Sequence, residues 1–93
     1  MIDRSDESKT YWNQRVGSDV YPYELIRQIG KTQFELRPLD TWHGDEGWNY
    51  VSNTDRHTIR VSRRKDGAYR AVGDKYAYFV PSDRPRKYLD PHF

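Results

Sequence analysis

The stretch from Val20 to Leu39, VYPYELIRQIGKTQFELRPL, constrains the fold more than any other part of the chain, because it reads as a β-hairpin. Gly30-Lys31 interrupts it between Ile29 and Thr32. A glycine at the first position of a two-residue loop suits a type II′ turn, whose twist matches the strands that it joins. Closure there pairs Ile29 with Thr32, Arg27 with Phe34, Leu25 with Leu36 and Tyr23 with Pro38. One face then gathers Tyr21, Tyr23, Leu25, Ile29, Phe34 and Leu36, with Arg27 as its only charge. The other carries Glu24, Ile26, Gln28, Gln33, Glu35 and Arg37. The same register sets Glu24 opposite Arg37, an attractive pair worth roughly a few tenths of a kcal/mol. A slip of one residue would mix the faces and lose that pair.

Further strands are expected downstream. Asp40–Gly47 (DTWHGDEG) reads as a loop, rich in glycine and acids, and Trp48–Asn53 as a short strand before a turn at Asn53-Thr54-Asp55. His57–Arg64 alternates cleanly into Lys65-Asp66-Gly67, a tripeptide suited to a type I turn with a left-handed glycine, the G1-bulge loop. Two registers compete there. Closing Arg64 against Ala68 places Ile59, Val61, Tyr69 and Ala71 on one face, with Arg60, Arg64 and Arg70 outward and Ser62 opposite Arg70. A tighter loop would set Arg63 directly opposite Arg70, and facing like charges are destabilising, so the bulged register is preferred. Gly73-Asp74-Lys75 is a turn, and Tyr76–Val80 is a strand apolar on both faces that Pro81 ends. The tail after it has room for one helical or 3₁₀ turn, with Asp83 as cap and Pro85 early in the turn.

At the other end, residues 1–15 form a loose or partly helical segment. Ser5 followed by Asp6 and Glu7 resembles a helix N-cap with acids in the first turn, and Gly17 suits its end. A frayed turn or a lead-in strand fits the weak apolar content equally well.

Ninety-three residues suffice for one domain. Only 34% of them are hydrophobic, but 15% are aromatic, and each ring can bury about 150–250 Å². Short strands, tight turns and a thin aromatic core point to a mainly β fold. The expected architecture is a small five- to six-stranded SH3-like barrel over residues 16–93, with at most one or two helical turns at the ends.

Composition and motifs argue against chemistry. Cysteine is absent, which removes disulfides, thiolate zinc sites and cysteine nucleophiles. His43, His57 and His92 lie far apart, and no metal-ligand spacing, phosphate-binding glycine loop or nucleophile elbow occurs. The carboxylates of His43-Gly44-Asp45-Glu46 could hold a cation, but a solvated acidic loop explains the cluster equally well. A non-enzymatic protein with no cofactor or metal is expected. No apolar run approaches a membrane span, and a cytoplasmic location is the expectation.

Charge is unevenly placed although the net value is only +2. Asp40, Asp45 and Glu46 make one acidic stretch, whereas Arg56, Arg60, Arg63, Arg64, Lys65 and Arg70 crowd around the second hairpin against a single acid, Asp66. Two binding surfaces follow. Trp42, Asp45, Glu46 and Trp48 form the preferred one, for a protein partner, since tryptophan is enriched at interface hot spots and opposed charge steers encounter. Both tryptophans could equally fold back to cap the barrel. The alternative is a DNA or RNA surface built from Arg60, Arg63, Arg64, Lys65 and Arg70, with Tyr76, Tyr78 and Trp48 available to stack bases.

The stretches Val16-Gly17, Val20-Tyr21-Pro22-Tyr23-Glu24, Lys31-Thr32, Glu35-Leu36-Arg37-Pro38 and Ser82-Asp83-Arg84-Pro85-Arg86-Lys87 resemble small uncharacterised accessory proteins of bacteriophages and other mobile elements. The resemblance carries no catalytic signature and assigns no binding residues. It implies a setting in the cytoplasm of a bacterial host, where such proteins bind host or defence components. A modulator or inhibitor of a host or defence protein, such as a nuclease, is the function it implies.

Overall fold

The computed structural model describes residues 5–91. A 3₁₀ turn over Ser5–Ser8 leads into β1 (Tyr11–Val16), β2 (Asp19–Gln28), β3 (Gln33–Pro38), β4 (Asp40–Gly44), β5 (Gly47–Val51), β6 (Ile59–Arg63), β7 (Tyr69–Ala71) and β8 (Tyr78–Ser82). Six strands close an antiparallel barrel in the order β1-β2-β3-β6-β7-β8, with β8 returning to β1, while β4 and β5 make a separate two-stranded sheet. The fold is therefore mainly β, and closure leaves few unpaired strand edges.

Alternation along the strands builds the core. Trp12, Phe34, Leu36, Val61 and Phe79 are buried inside, flanked by Tyr23, Leu25, Ile59, Tyr69 and Ala71. The Trp12 ring centre lies 4.8 Å from Phe34 and 4.9 Å from Tyr69, and Tyr23 meets Phe79 edge-on at 5.1 Å. Tilted and edge-to-face contacts of this kind suit the ring quadrupole. Few aliphatic residues are needed because large rings fill the interior.

The central hairpin keeps the expected partners at its open end, Tyr23↔Pro38, Glu24↔Arg37 and Leu25↔Leu36, then departs from expectation. A bulge between Leu25 and Arg27 moves Arg27 from Phe34 to Glu35, whose Oε1 accepts from its Nε at 3.1 Å. The physical reason is the charge: without the bulge, Arg27 would sit on the apolar face. Ile29 is exposed rather than in the core, and both Ile29 N and Gly30 N donate to Gln33 O. Gly30 is not in the left-handed region, so the expected type II′ turn is absent there. A two-residue turn with a left-handed first glycine instead joins β1 to β2, at Gly17-Ser18, where Gly17 has φ +58°.

Other boundaries shift. The barrel begins at Tyr11 rather than Val16, because Trp12 is its largest buried side chain and the pairings of β1 with β2 and β8 carry it into the wall. Residues 1–4, part of the N-terminal segment, and His92 lie outside the described residues. Pro81 does not end the last strand, which continues to Ser82. Since β7 pairs with β8 only at Tyr69↔Phe79, one edge beyond Phe79 is open, where a missing N–H costs no ladder bond. The tail forms no helical turn. It runs extended across the barrel and bridges Tyr88 to Val20.

One end of the barrel is closed by the N-terminal turn. Buried Glu7 pairs with Arg63 and accepts from the Tyr69 hydroxyl at 3.1 Å, while Trp12 Nε1 donates to Lys9 O at 3.1 Å. At the opposite mouth Gln14, Tyr21 and Tyr23 line a cavity together with Thr41 of β4.

Candidate functional site

Asp40–Gly47, expected to be a loop, is a hairpin arm. Asp45-Glu46 forms its turn, and the register is Asp40↔Val51, Thr41↔Tyr50, Trp42↔Asn49, His43↔Trp48 and Gly44↔Gly47. Partners across an antiparallel pair share a face, so the two tryptophans fall on opposite sides of the arm. Trp48 shares its side with Thr41, His43 and Tyr50. Trp42 shares its side with Asn49 and Val51.

The Trp48 side is anchored to the barrel and the tail. His43 meets Trp48 edge-on at 5.2 Å. The Lys87 Nζ stands 5.7 Å from the Trp48 ring centre and 4.2 Å from that of Tyr21 on β2, while Lys87 N donates to the Tyr50 hydroxyl at 2.9 Å. Below these groups, the barrel mouth forms a cavity of about 270 Å³ whose lining includes Gln14, Tyr21, Tyr23, Thr41, Arg56 and Lys87. Burial, reinforced by the Arg56 charge, pulls Lys87 below its ordinary 10.5, with Asp19 opposing. Burial likewise raises the Tyr23 phenol. Arg56 is itself held by Leu39 O at 3.0 Å and Asp40 Oδ1 at 3.2 Å.

The Trp42 side faces water. Trp42 is 52% exposed and Val51 is also exposed, with Asp45 and Glu46 exposed at the tip. Neither tryptophan belongs to the barrel core, and of the four expected protein-binding residues, Trp42, Asp45 and Glu46 form an accessible group while Trp48 faces the tail.

The basic residues fare differently. The second hairpin has the expected bulged register, with Ser62↔Arg70, Arg64 N donating to Ala68 O at 2.7 Å, and Gly67 at φ +89°. Its arginines are nonetheless largely engaged within the protein. Arg63 points into the barrel end and pairs with Glu7. Arg64 Nη2 donates to Ala71 O at 3.0 Å, and Arg70 Nη1 reaches the carbonyls of Lys75, Tyr76 and Ala77 at 3.1 to 3.3 Å. Arg60 and Lys65 remain exposed. The five basic residues expected to form a nucleic-acid face are thus not brought together as one accessible cluster.

Among the described residues, no group of three His, Cys, Asp or Glu side chains is placed to hold a metal ion. No described helix is long and apolar enough to cross a membrane. Comparison with family models, curated proteins and solved structures returns no match.

Proposed function

We propose that the protein is a non-enzymatic binding module that engages a protein partner through the outer side of the β4–β5 arm. The observation that carries this reading is the split of the arm into two sides. Tyr50 and Trp48 fasten one side to the tail, and the other displays Trp42 without recruiting it to the core. An exposed tryptophan on a braced strand loses little entropy on binding, which is how aromatic anchors become hot spots. Asp45 and Glu46 beside it favour a partner surface with basic residues around an apolar pocket, and would speed encounter. A bacterial host or defence protein, such as a nuclease, is the partner class that the phage-like resemblance suggests, with modulation or inhibition as the outcome.

The test uses immobilised protein and bacterial lysate. A partner identified by mass spectrometry should be retained by the wild type and by Lys65→Gln. It should be reduced at least about tenfold by Trp42→Ala and weakened by the paired change Asp45→Lys and Glu46→Lys. Equal capture by all variants would contradict the assignment.

A further inference from the structure

We propose that the outer face of β1 and β8, where the tail crosses it, binds single-stranded nucleic acid. This surface is separate from the hairpin arm and from the basic face expected at Arg60–Arg70. The starting observation is which arginines are satisfied. Arg27, Arg37, Arg56, Arg63, Arg64 and Arg70 each donate to a carboxylate or carbonyl oxygen of the protein. Arg15, Arg60, Arg84 and Arg86 have no such acceptor among the described residues. Three of these four, Arg15, Arg84 and Arg86, line a single groove of about 300 Å³, and no carboxylate shares the lining.

The gathering is built by one buried polar side chain. Asn13 on β1 donates from Nδ2 to Arg84 O at 3.0 Å and accepts at Oδ1 from Arg86 N at 2.9 Å. A single amide thus pairs with the tail as a strand would, fixing Arg84 and Arg86 on either side of Pro85. Tyr88 then exchanges both backbone hydrogen bonds with Val20 at 2.8 and 2.9 Å, which locks the far end of the crossing. Arg15 follows Asn13 by two residues on β1 and so shares its outer face. Nearby acids are occupied elsewhere: Asp83 with Lys9 at 3.0 Å, and Asp19 Oδ1 with Asp90 N at 2.8 Å. Three arginines line the groove and no carboxylate does, so a bound anion would offset the repulsion among like charges there.

The ligand chemistry follows from what surrounds the charges. Planar guanidinium forks match phosphate oxygens in pairs. Tyr78 is the register partner of Arg15 and is 40% exposed, and Tyr76, at the approach to β8, is 90% exposed. Val80, Pro81 and Pro85 give the groove an apolar floor. Open tyrosine faces beside phosphate-binding groups suit unpaired bases, since a duplex hides the faces of its bases within the stack.

Fluorescence anisotropy of a labelled oligothymidylate of about 12 nucleotides, at about 50 and 200 mM salt, tests this. The wild type should bind with a log–log salt slope near −2, about −0.7 for each of three phosphate contacts. The triple change Arg15→Gln, Arg84→Gln and Arg86→Gln should weaken binding at least about tenfold and flatten the slope. Tyr78→Ala alone should weaken it about fivefold or more, which keeps the test valid if the triple variant folds poorly. Arg60→Gln and Trp42→Ala should leave the affinity unchanged, so that failure here is distinguishable from failure of the hairpin reading. Absence of salt-dependent binding, insensitivity to Tyr78→Ala, or equally tight binding of duplex or of polyglutamate would overturn the proposal.

Discussion

Glu24 Oε1 receives both Nε and Nη2 of Arg37, at 3.1 and 2.7 Å, across β2 and β3. Its second oxygen accepts from Ser52 Oγ at 2.6 Å, so one carboxylate ties the barrel wall to the segment leaving β5. Both partners of the ion pair are mostly buried, which spares it the solvent screening that makes exposed pairs weak. Glu24→Ala should therefore cost about 1–3 kcal/mol, because it leaves a mostly buried guanidinium unpaired. Urea unfolding of Glu24→Ala, Arg37→Ala and the double variant should show a coupling of about 1 kcal/mol.

Arg70 tests whether charge in the second hairpin serves the fold. Its Nη1 gathers three carbonyls from the turn that feeds β8, and β8 is joined to β7 by a single registered pair. Arg70→Met should destabilise the protein by about 1–3 kcal/mol, with faster amide hydrogen exchange over residues 74–79. Arg60→Gln, which removes the same charge from an exposed position without an acceptor, should stay within about 0.5 kcal/mol of the wild type.

Much of the barrel wall was legible in the sequence because two independent signals agreed there. Apolar alternation and the Glu24–Arg37 pair both specify the open end of the central hairpin, and both are present. Lys65-Asp66-Gly67 announces its bulged loop through turn chemistry, and the repulsion of Arg63 facing Arg70 in the tighter register decides the pairing. The bulge at Ile26 was not legible, since it answers a competition between Phe34 and Glu35 for Arg27 that exists only once the sheet forms. In the β4–β5 arm the second strand is legible at Trp48–Asn53, but the first is not: the glycines and acids of Asp40–Gly47 favour a loop, although Asp45-Glu46-Gly47 echoes the acid-glycine ending of Lys65-Asp66-Gly67. The arginine groove was beyond reach for a different reason. Arg15 and Arg84 come together through Asn13, which bonds to a residue 71 positions away.

Asp74 gives a pH-dependent prediction. Its carboxylate accepts from Tyr76 N at 2.8 Å and Ala77 N at 3.2 Å, and those hydrogen bonds hold it below its ordinary 3.8. A depressed carboxyl stabilises the fold fully above its unfolded value, and that contribution is lost as pH falls from there through the folded value. Asp74→Asn keeps an acceptor at the same place but does not titrate. Melting temperatures measured from neutral pH down to about 2 should therefore fall more steeply at the acid end for the wild type than for the variant.

The two most instructive tryptophans occupy opposite situations. Trp12 is fully buried among Phe34 and Tyr69, and its replacement by alanine should cost about 3–5 kcal/mol. For a domain of this size that is a large part of the whole stability. A thermal melt of Trp12→Ala should show a transition lowered by tens of degrees or no cooperative transition at all.

Retention of a co-purifying protein by Trp42→Ala, measured where its melting curve overlays that of the wild type, bears most directly on the role assigned to the hairpin arm. The expected result is an intact barrel that no longer holds its partner. An unchanged complex, or a loss of stability matching that of Trp12→Ala, would contradict it.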